Sequence, residues 1–265
     1  MITTYHRPQT LDEALTLLAQ PNTLPLGGGT LLSRPTPDPV SVVDLQALGL
    51  NTIARKGNDL ELGATVTLQQ LLESEHCPEA LKTAIKLEAP LNLRNSATLA
   101  GTLVASDGRS PFAAALLALD AKITVQRSSA SVMGMGEFLP LRPQGLITAI
   151  TIPAQTKFAF EYTSRTPADK PLVSAALAQW PSGRARLVIG GFGKSPSLAM
   201  DGELPPSPSG TMAPEVKRSG GGTEGEGLFA AARNACHEAA DDFASADYRM
   251  DVAATLAKRC LEGLK

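Results

Sequence analysis

Apolar residues along this chain recur at spacings that predict short helices alternating with short strands. After Thr10, apolar positions at helical spacing predict a helix that Thr10 caps, with Glu13 three residues later forming a capping box. The apolar run 23–26 and the β-branched run 40–45 are typical of strands. The first fifty or so residues therefore predict a small α/β unit.

The next hundred residues mix both patterns. Helices are expected near 68–72, 80–87 and 112–119, and strands at 60–64 and 123–125. Ser110 before Pro111 is a favourable helix start, because serine caps well and proline fits the first helical position.

Alternating strands at 158–162, 172–178 and 185–191 predict an antiparallel sheet, and helices are expected at 228–240 and 248–264. Residues 195–227 are rich in proline, glycine and serine and predict a long loop. We therefore expect α+β organisation with domains at 1–52, 53–155 and 156–265.

Composition and charge exclude several function classes. The formal net charge is -2 and aromatic residues make up 4%, which argues against a nucleic-acid binder. No signal-like N-terminus or apolar run of bilayer length is present, so we expect a cytoplasmic protein without a membrane span. The separated Cys77, Cys236 and Cys260 form no CxxC pair, and any iron–sulfur cluster must belong to a partner.

Two stretches of small residues carry the candidate chemistry. In Pro25-Leu26-Gly27-Gly28-Gly29-Thr30-Leu31-Leu32, three glycines allow the backbone to approach a ligand and form an anion nest. In Arg94-Asn95-Ser96-Ala97-Thr98-Leu99-Ala100-Gly101-Thr102, small residues alternate with hydroxyls that can donate to phosphate oxygens. Two such loops would suit the two halves of one pyrophosphate.

Together these stretches resemble the flavin-binding signatures of the FAD-binding medium subunit of molybdenum hydroxylases, the xanthine dehydrogenase and carbon monoxide dehydrogenase flavoprotein family. The family patterns are A-G-G-[HT]-[SD]-L-L and R-N-x-A-T-[IV]-G-G-N. Matching residues are Gly27, Gly28, Gly29, Thr30, Leu32, Arg94, Asn95, Ala97, Thr98 and Gly101. Further similar segments, including Leu62-Gly63-Ala64-Thr65-Val66-Thr67 and Ser245-Ala246-Asp247-Tyr248-Arg249, extend the resemblance over nearly the whole chain.

The resemblance implies a two-part FAD-binding domain of the vanillyl-alcohol-oxidase or PCMH type, made of a small α/β unit and a mixed α+β unit. A C-terminal antiparallel sheet with helices follows. It also implies an oxidoreductase subunit with non-covalent FAD, active only within a complex and without catalytic or metal-binding residues of its own. The implied cofactor-binding residues are Leu26, Gly27, Gly28, Gly29, Thr30, Leu31, Leu32, Thr98, Ala100, Gly101, Thr102, Ser106, Asp107, Ser110 and Ile147.

Partners follow from the same resemblance. A large subunit would carry molybdopterin, and a small subunit would carry [2Fe–2S] clusters. Electrons would pass from these clusters through FAD to NAD, a quinone or another acceptor.

The chain departs from the family pattern at several positions. Pro111 stands where many members have an aspartate, and Leu31 replaces a polar residue. Ala100 and Thr102 replace a glycine and an asparagine, and Glu161 or Tyr162 replaces a basic residue.

Three alternatives remain open at this stage. The chain could be a structural subunit that has kept the fold and lost FAD. A free-standing flavin oxidase lacks visible substrate-site residues. A dinucleotide-binding Rossmann domain would use the glycine loop and Asp44, although the G-x-G-x-x-G spacing is not convincingly met.

Overall fold

The described residues form helices and strands in close alternation, assembled into three sheets. The computed structural model describes residues 2–34, 38–167, 169–204 and 225–264. The chain divides into two units, one formed by Met1–Ser106 with Asp120–Gln155 and the other by Asp107–Leu119 with Thr156–Lys265.

The strands in chain order are β1 (Ile2–His6), β2 (Thr23–Leu26), β3 (Val40–Asp44), β4 (Ile53–Lys56), β5 (Asp59–Gly63), β6 (Lys122–Gln126), β7 (Ala130–Gly134), β8 (Leu146–Pro153), β9 (Lys157–Thr163), β10 (Val173–Gln179), β11 (Arg184–Gly190) and β12 (Ser197–Glu203). The helices are α1 (Leu11–Leu18), α2 (Leu68–Glu73), α3 (Glu79–Glu88), α4 (Leu91–Arg94), α5 (Leu99–Ala105), α6 (Pro111–Ala118), α7 (Met135–Leu141), α8 (Glu226–Asn234) and α9 (Ala246–Gly263), with a 3₁₀ turn at Gln46–Leu48.

The first unit begins with a parallel sheet of order β1-β3-β2. Helix α1 connects β1 to β2, the two strands that flank β3, and it buries Ala14 against Val43 and Leu45. The side chain of Thr10 accepts the amide of Glu13, as the sequence predicts. The Glu13 carboxylate, however, accepts from the amide of Gln9 at 3.0 Å, one residue before the cap.

The same unit contains an antiparallel sheet of order β4-β5-β8-β6-β7. Helices α2, α4 and α5 lie in the segment between β5 and β6. An isolated bridge joins Thr67 to Thr98, so the entrances to α2 and α5 run side by side. Thr67 and Gln70 form a complete capping box at the start of α2.

The second unit is built on the antiparallel sheet β12-β11-β10-β9. Helices α8 and α9 pack on it through a core that includes Leu177, Leu187, Leu256 and Cys260. Helix α6 also contacts this sheet, and every residue of α6 is buried, as expected for a helix that is apolar on all sides. The predicted α+β class with a C-terminal antiparallel sheet and helices is confirmed.

Several elements differ from the sequence-based expectation. The predicted loop 195–227 contains β12, in which Leu198 and Met200 pair with Val188 and Leu187 of β11 despite the surrounding proline and glycine. Residues 205–224 of that loop lie outside the described residues, as do Pro35 and Pro37. The helix predicted at 228–240 ends at Asn234. Asp107–Leu119, which falls inside the predicted domain 53–155, belongs to the second unit.

A buried arginine fixes the turn between α8 and α9. Arg249 is fully buried, and its guanidinium donates to both carboxylate oxygens of Asp241 at 2.8 and 2.9 Å. It also donates to the carbonyl oxygens of Leu172 and Ala239, which draws the chain away from the helical path after α8. Partial burial raises the pKa of Asp241, but hydrogen bonds from Arg249 and two backbone amides outweigh it and hold that pKa below its ordinary 3.8.

We expect Asp241→Asn to lower the free energy of unfolding by about 1–2 kcal/mol at neutral pH, because it leaves a buried guanidinium without its counter-charge. The carboxylate contributes stability above its ordinary pKa and loses it as pH falls through the depressed folded value. The difference from the wild type should therefore shrink below about pH 4. Urea unfolding across pH measures it, with the neighbouring exposed Asp242→Asn as the control; equal effects of both changes would contradict the role of the pair.

Candidate functional site

The glycine stretch of the first loop leaves the parallel sheet at the end of β2. The carbonyl oxygen of Leu26 still accepts the amide of Leu45 at 3.0 Å, so the loop starts from a fixed strand end. Gly29 has φ +70, a conformation that favours glycine. The amide and hydroxyl of Ser33 both donate to the Gly29 carbonyl oxygen, at 2.9 and 2.7 Å, and this closes the turn.

The amides of this first loop are open. Within the described residues, no acceptor in the protein takes up the amide hydrogens of Gly27, Gly28, Gly29 or Thr30. Backbone amides without a protein partner must be satisfied by solvent or by a ligand. A run of such amides on a glycine turn can receive an anion.

The second loop is different, because its amides are already used. Leu99 donates to the carbonyl oxygen of Val66 at 2.8 Å, and Ala100 donates to that of Ala64 at 3.2 Å. Gly101 donates to the Thr98 hydroxyl at 3.2 Å, where Thr98 caps α5. The two loops are therefore not equivalent. The first offers free hydrogen-bond donors, whereas the second is hydrogen-bonded to the segment that leads from β5 to α2.

The two loops meet backbone to backbone. A Cβ atom at Gly28 would overlap the carbonyl oxygen of Ser96, and one at Gly27 would lie 2.7 Å from Oγ1 of Thr98. These glycines are needed because the second loop occupies the space where a side chain would be. Arg94, the first residue of the second loop, anchors it by donating to Oε1 of Gln69 at 3.0 Å and to the carbonyl oxygen of Ala89 at 2.9 Å.

A pocket that is partly open to solvent lies along both loops within the first unit. Ten of the sequence-predicted residues line it: Gly27, Gly28, Gly29, Thr30, Leu31, Leu32, Thr98, Ala100, Gly101 and Ile147. Its wall is largely apolar, and none of the described residues that form it is charged. Such a pocket suits a ligand with an extended apolar part and a few polar groups that bind backbone donors.

The other predicted residues lie outside this wall. Leu26 ends β2, and the hydroxyl of Thr102 donates to the carbonyl oxygen of Thr98 at 2.8 Å. The hydroxyl of Ser106 donates to the carbonyl oxygen of Leu103 at 2.7 Å and accepts a hydrogen bond from the guanidinium of Arg142. These hydrogen bonds hold α5 and its C-terminal end.

Asp107 and Ser110 belong to the second unit, where each has a local structural role. The carboxylate of Asp107 accepts the amide of Arg109 at 2.9 Å. Ser110 is buried and caps α6 by accepting the amide of Ala113 at 3.1 Å, with Pro111 at the first helical position, as the sequence predicts.

Eight wall residues were not predicted from the sequence: Leu24, Pro25, Leu45, Ala64, Thr65, Val104, Gly145 and Leu146. The segment around Ala64 and Thr65 resembles the family in sequence, but its sequence alone indicates no role at the site. Only its pairing with the second loop brings it to the pocket. Asp44, the acidic residue of the Rossmann alternative, accepts from Tyr5 and from the amide of Gln46, and the parallel sheet has three strands. A doubly wound dinucleotide fold is therefore wrong for this chain.

The cysteines have no metal-binding arrangement in the described parts of the chain, where no cluster of three or more potential ligands occurs. All three thiols are buried and unpaired. Burial raises the pKa of Cys77 and Cys260 to about 12 and that of Cys236 to about 11. At neutral pH they are inert thiols.

The family model described as the FAD binding domain in molybdopterin dehydrogenase matches residues 1–155. The chain belongs to this family. Among curated relatives, the uncharacterized protein YgfM of Escherichia coli (strain K12) is 28% identical over 197 residues, covering 72% of this chain and 75% of the relative. The glyceraldehyde dehydrogenase medium chain of Sulfolobus acidocaldarius is 28% identical over 221 residues, covering 75% of this chain and 79% of the relative.

The fold of this molybdopterin dehydrogenase family member is also similar to a chain of Cu,Mo-CO dehydrogenase in its cyanide-inactivated form. The TM-score is 0.78 at 22% identity, covering 100% of this chain and 98% of that one. The predicted family is thus confirmed. No helix in the described ranges has the length and apolar character needed to cross a membrane.

We expect Gly28→Ala to destabilise the first unit by about 3 kcal/mol, because the added methyl group forces the two loops apart. Gly134→Ala is the matched control, since its Cβ meets nothing within 4 Å and its φ is -72. It should cost no more than about 1 kcal/mol. Thermal unfolding of both purified variants measures the difference, and a stable Gly28→Ala protein would contradict the backbone contact.

Proposed function

We propose that this chain binds FAD non-covalently in the pocket of its first unit. It would serve there as the electron-transferring flavoprotein subunit of a molybdenum hydroxylase-type complex. The observation that carries this proposal is the pocket itself. Within the region matched by the family model, it combines a glycine turn with open amides and an apolar wall.

The residues present fit the cofactor. The open amides from Gly27 to Thr30 suit phosphate oxygens, which backbone nests bind without a charged side chain. Thr98 adds a hydroxyl to the same wall, and Leu146 and Ile147 add apolar surface suited to a flat aromatic ring. The fit rests mainly on backbone, so replacement of a polar side chain by Leu31 leaves the donors in place.

Non-covalent binding is part of the proposal. Covalent flavin attachment requires a nucleophilic side chain beside the ring, and the described wall contains no histidine, cysteine or tyrosine. The protein's own residues would bind the cofactor, orient it and exclude water. Bound FAD supplies reversible redox chemistry between an electron donor and a separate acceptor.

Partner subunits supply the remaining centres in this proposal. A large subunit would hold molybdopterin and transform the substrate, and a small subunit would hold [2Fe–2S] clusters. The name of the Sulfolobus relative as the medium chain of a dehydrogenase supports a role as one subunit of a larger enzyme. The expected acceptor is NAD, a quinone or another electron acceptor.

An absorbance spectrum of the purified complex, followed by denaturation and identification of the released nucleotide, tests this function. We expect flavin bands and one FAD per copy of this chain. A complex that is colourless and stays flavin-free after incubation with excess FAD would overturn the proposal and favour a structural subunit that has lost the cofactor.

Ala100→Asp should weaken FAD binding by at least about 10-fold, because it places a negative charge beside the proposed phosphate site. Ala100 is the second residue of α5, where a carboxylate favours the helix dipole, so the variant should remain folded. Ala100→Asn is the matched control of equal size without the charge. Fluorescence titration of the apoprotein with FAD compares the two affinities, and equal losses would show that phosphate charge is not near Ala100.

A further inference from the structure

One buried hydroxyl in the pocket wall has no partner. Thr65 is 9% exposed, and in the described parts of the chain no donor or acceptor bonds its buried Oγ1. Several other threonines of this unit use their hydroxyls. Those of Thr67 and Thr98 cap helices, and that of Thr102 donates to a carbonyl oxygen at 2.8 Å.

The backbone around Thr65 is fixed, so the side chain cannot leave the wall by a loop movement alone. Its own amide donates to the carbonyl oxygen of Leu50 at 2.9 Å, and that of Ala64 donates to Thr148 at 3.1 Å. The next amide, of Val66, donates to Gly63 at 3.2 Å. Rotation about χ1 exchanges only the positions of the hydroxyl, the methyl group and the hydrogen on the β-carbon.

Leaving a buried hydroxyl without a partner costs free energy that an apolar side chain of equal shape avoids. Valine has that shape, and nothing in the local backbone requires a hydroxyl, since all three neighbouring amides are bonded to main-chain oxygens. A hydroxyl at this position is therefore explained by a ligand in the pocket, toward which the buried Oγ1 turns by rotation about χ1. Thr65 can act as donor or acceptor toward it.

We propose that the Thr65 hydroxyl forms a hydrogen bond to bound FAD and that this residue helps to position the cofactor. The proposal rests on the function proposed above. It follows that cofactor binding relieves a cost already present in the protein without FAD. Thr65 then lowers the stability of the apoprotein while raising its affinity, and the two effects have opposite signs.

Thr65→Val tests this with two measurements on the full chain, the Kd for FAD and the Tm without FAD. We expect about 5- to 10-fold weaker binding, which is the effect of one neutral hydrogen bond. The apoprotein Tm should rise by about 2–4 °C, because the unpaired hydroxyl is gone. Thr65→Ser keeps the hydroxyl and should retain affinity within about 2-fold.

Thr148→Val is the matched control, since Oγ1 of Thr148 donates to the carbonyl oxygen of Thr124 at 3.5 Å and Thr148 is outside the pocket wall. It should leave the Kd unchanged and should not raise the Tm. Unchanged FAD affinity in Thr65→Val would overturn the proposal and assign the hydroxyl to a bound water. A lower apoprotein Tm in Thr65→Val would also overturn it, because the hydroxyl would then have a partner inside the protein.

Failure of the proposed function is distinguishable from failure of the Thr65 proposal, because it requires that the wild-type chain itself binds no FAD. In that case both proposals fall. If the wild type binds FAD and only the Thr65 variants depart from expectation, the function stands and the role of Thr65 does not.

Discussion

The backbone contact between Gly28 and Ser96 is the constraint on which the pocket depends. With no Cβ at Gly28, the first loop lies directly against a carbonyl oxygen of the second. The second loop is in turn paired with the segment before α2, and that segment continues from β5. Through these steps the parallel sheet and the antiparallel sheet of the first unit together shape one ligand site.

The asymmetry of the two loops follows from the same contact. The small residues of the two stretches look equivalent in the sequence, from which both stretches are expected to donate hydrogen bonds to phosphate oxygens. In the structure the amides of Leu99 and Ala100 donate to the carbonyl oxygens of Val66 and Ala64, whereas the amides of the glycine turn have no acceptor in the described residues. The role of the second loop is to support the first and to complete the wall. Nothing in local composition distinguishes these roles, because they are decided by pairing with a distant segment.

Elements with strong local signals could be predicted, including the Thr10 cap, the Ser110-Pro111 helix start and strand 23–26. Strand β12 could not, because its few apolar residues are embedded in proline- and glycine-rich sequence and it is held by pairing with β11. For the site, the motif residues around the loops could be predicted. Thr65 could not, because its importance lies in a missing partner, and hydrogen-bond partners are visible only in three dimensions.

Recognition through the backbone also explains why departures from the family pattern are compatible with the proposed site. Where a side chain binds the ligand, replacing that side chain removes the contact. A main-chain amide is supplied by every residue except proline. Leu31 lines the pocket and keeps its amide, and Ala100 lines it with an amide that bonds the carbonyl oxygen of Ala64 and so supports the wall. Pro111 is a helix start in the second unit, where its missing amide hydrogen costs nothing. Substitutions can remove side-chain hydroxyls such as that of Thr65 but not main-chain amides. We therefore expect differences in FAD affinity between family members to depend on these hydroxyls.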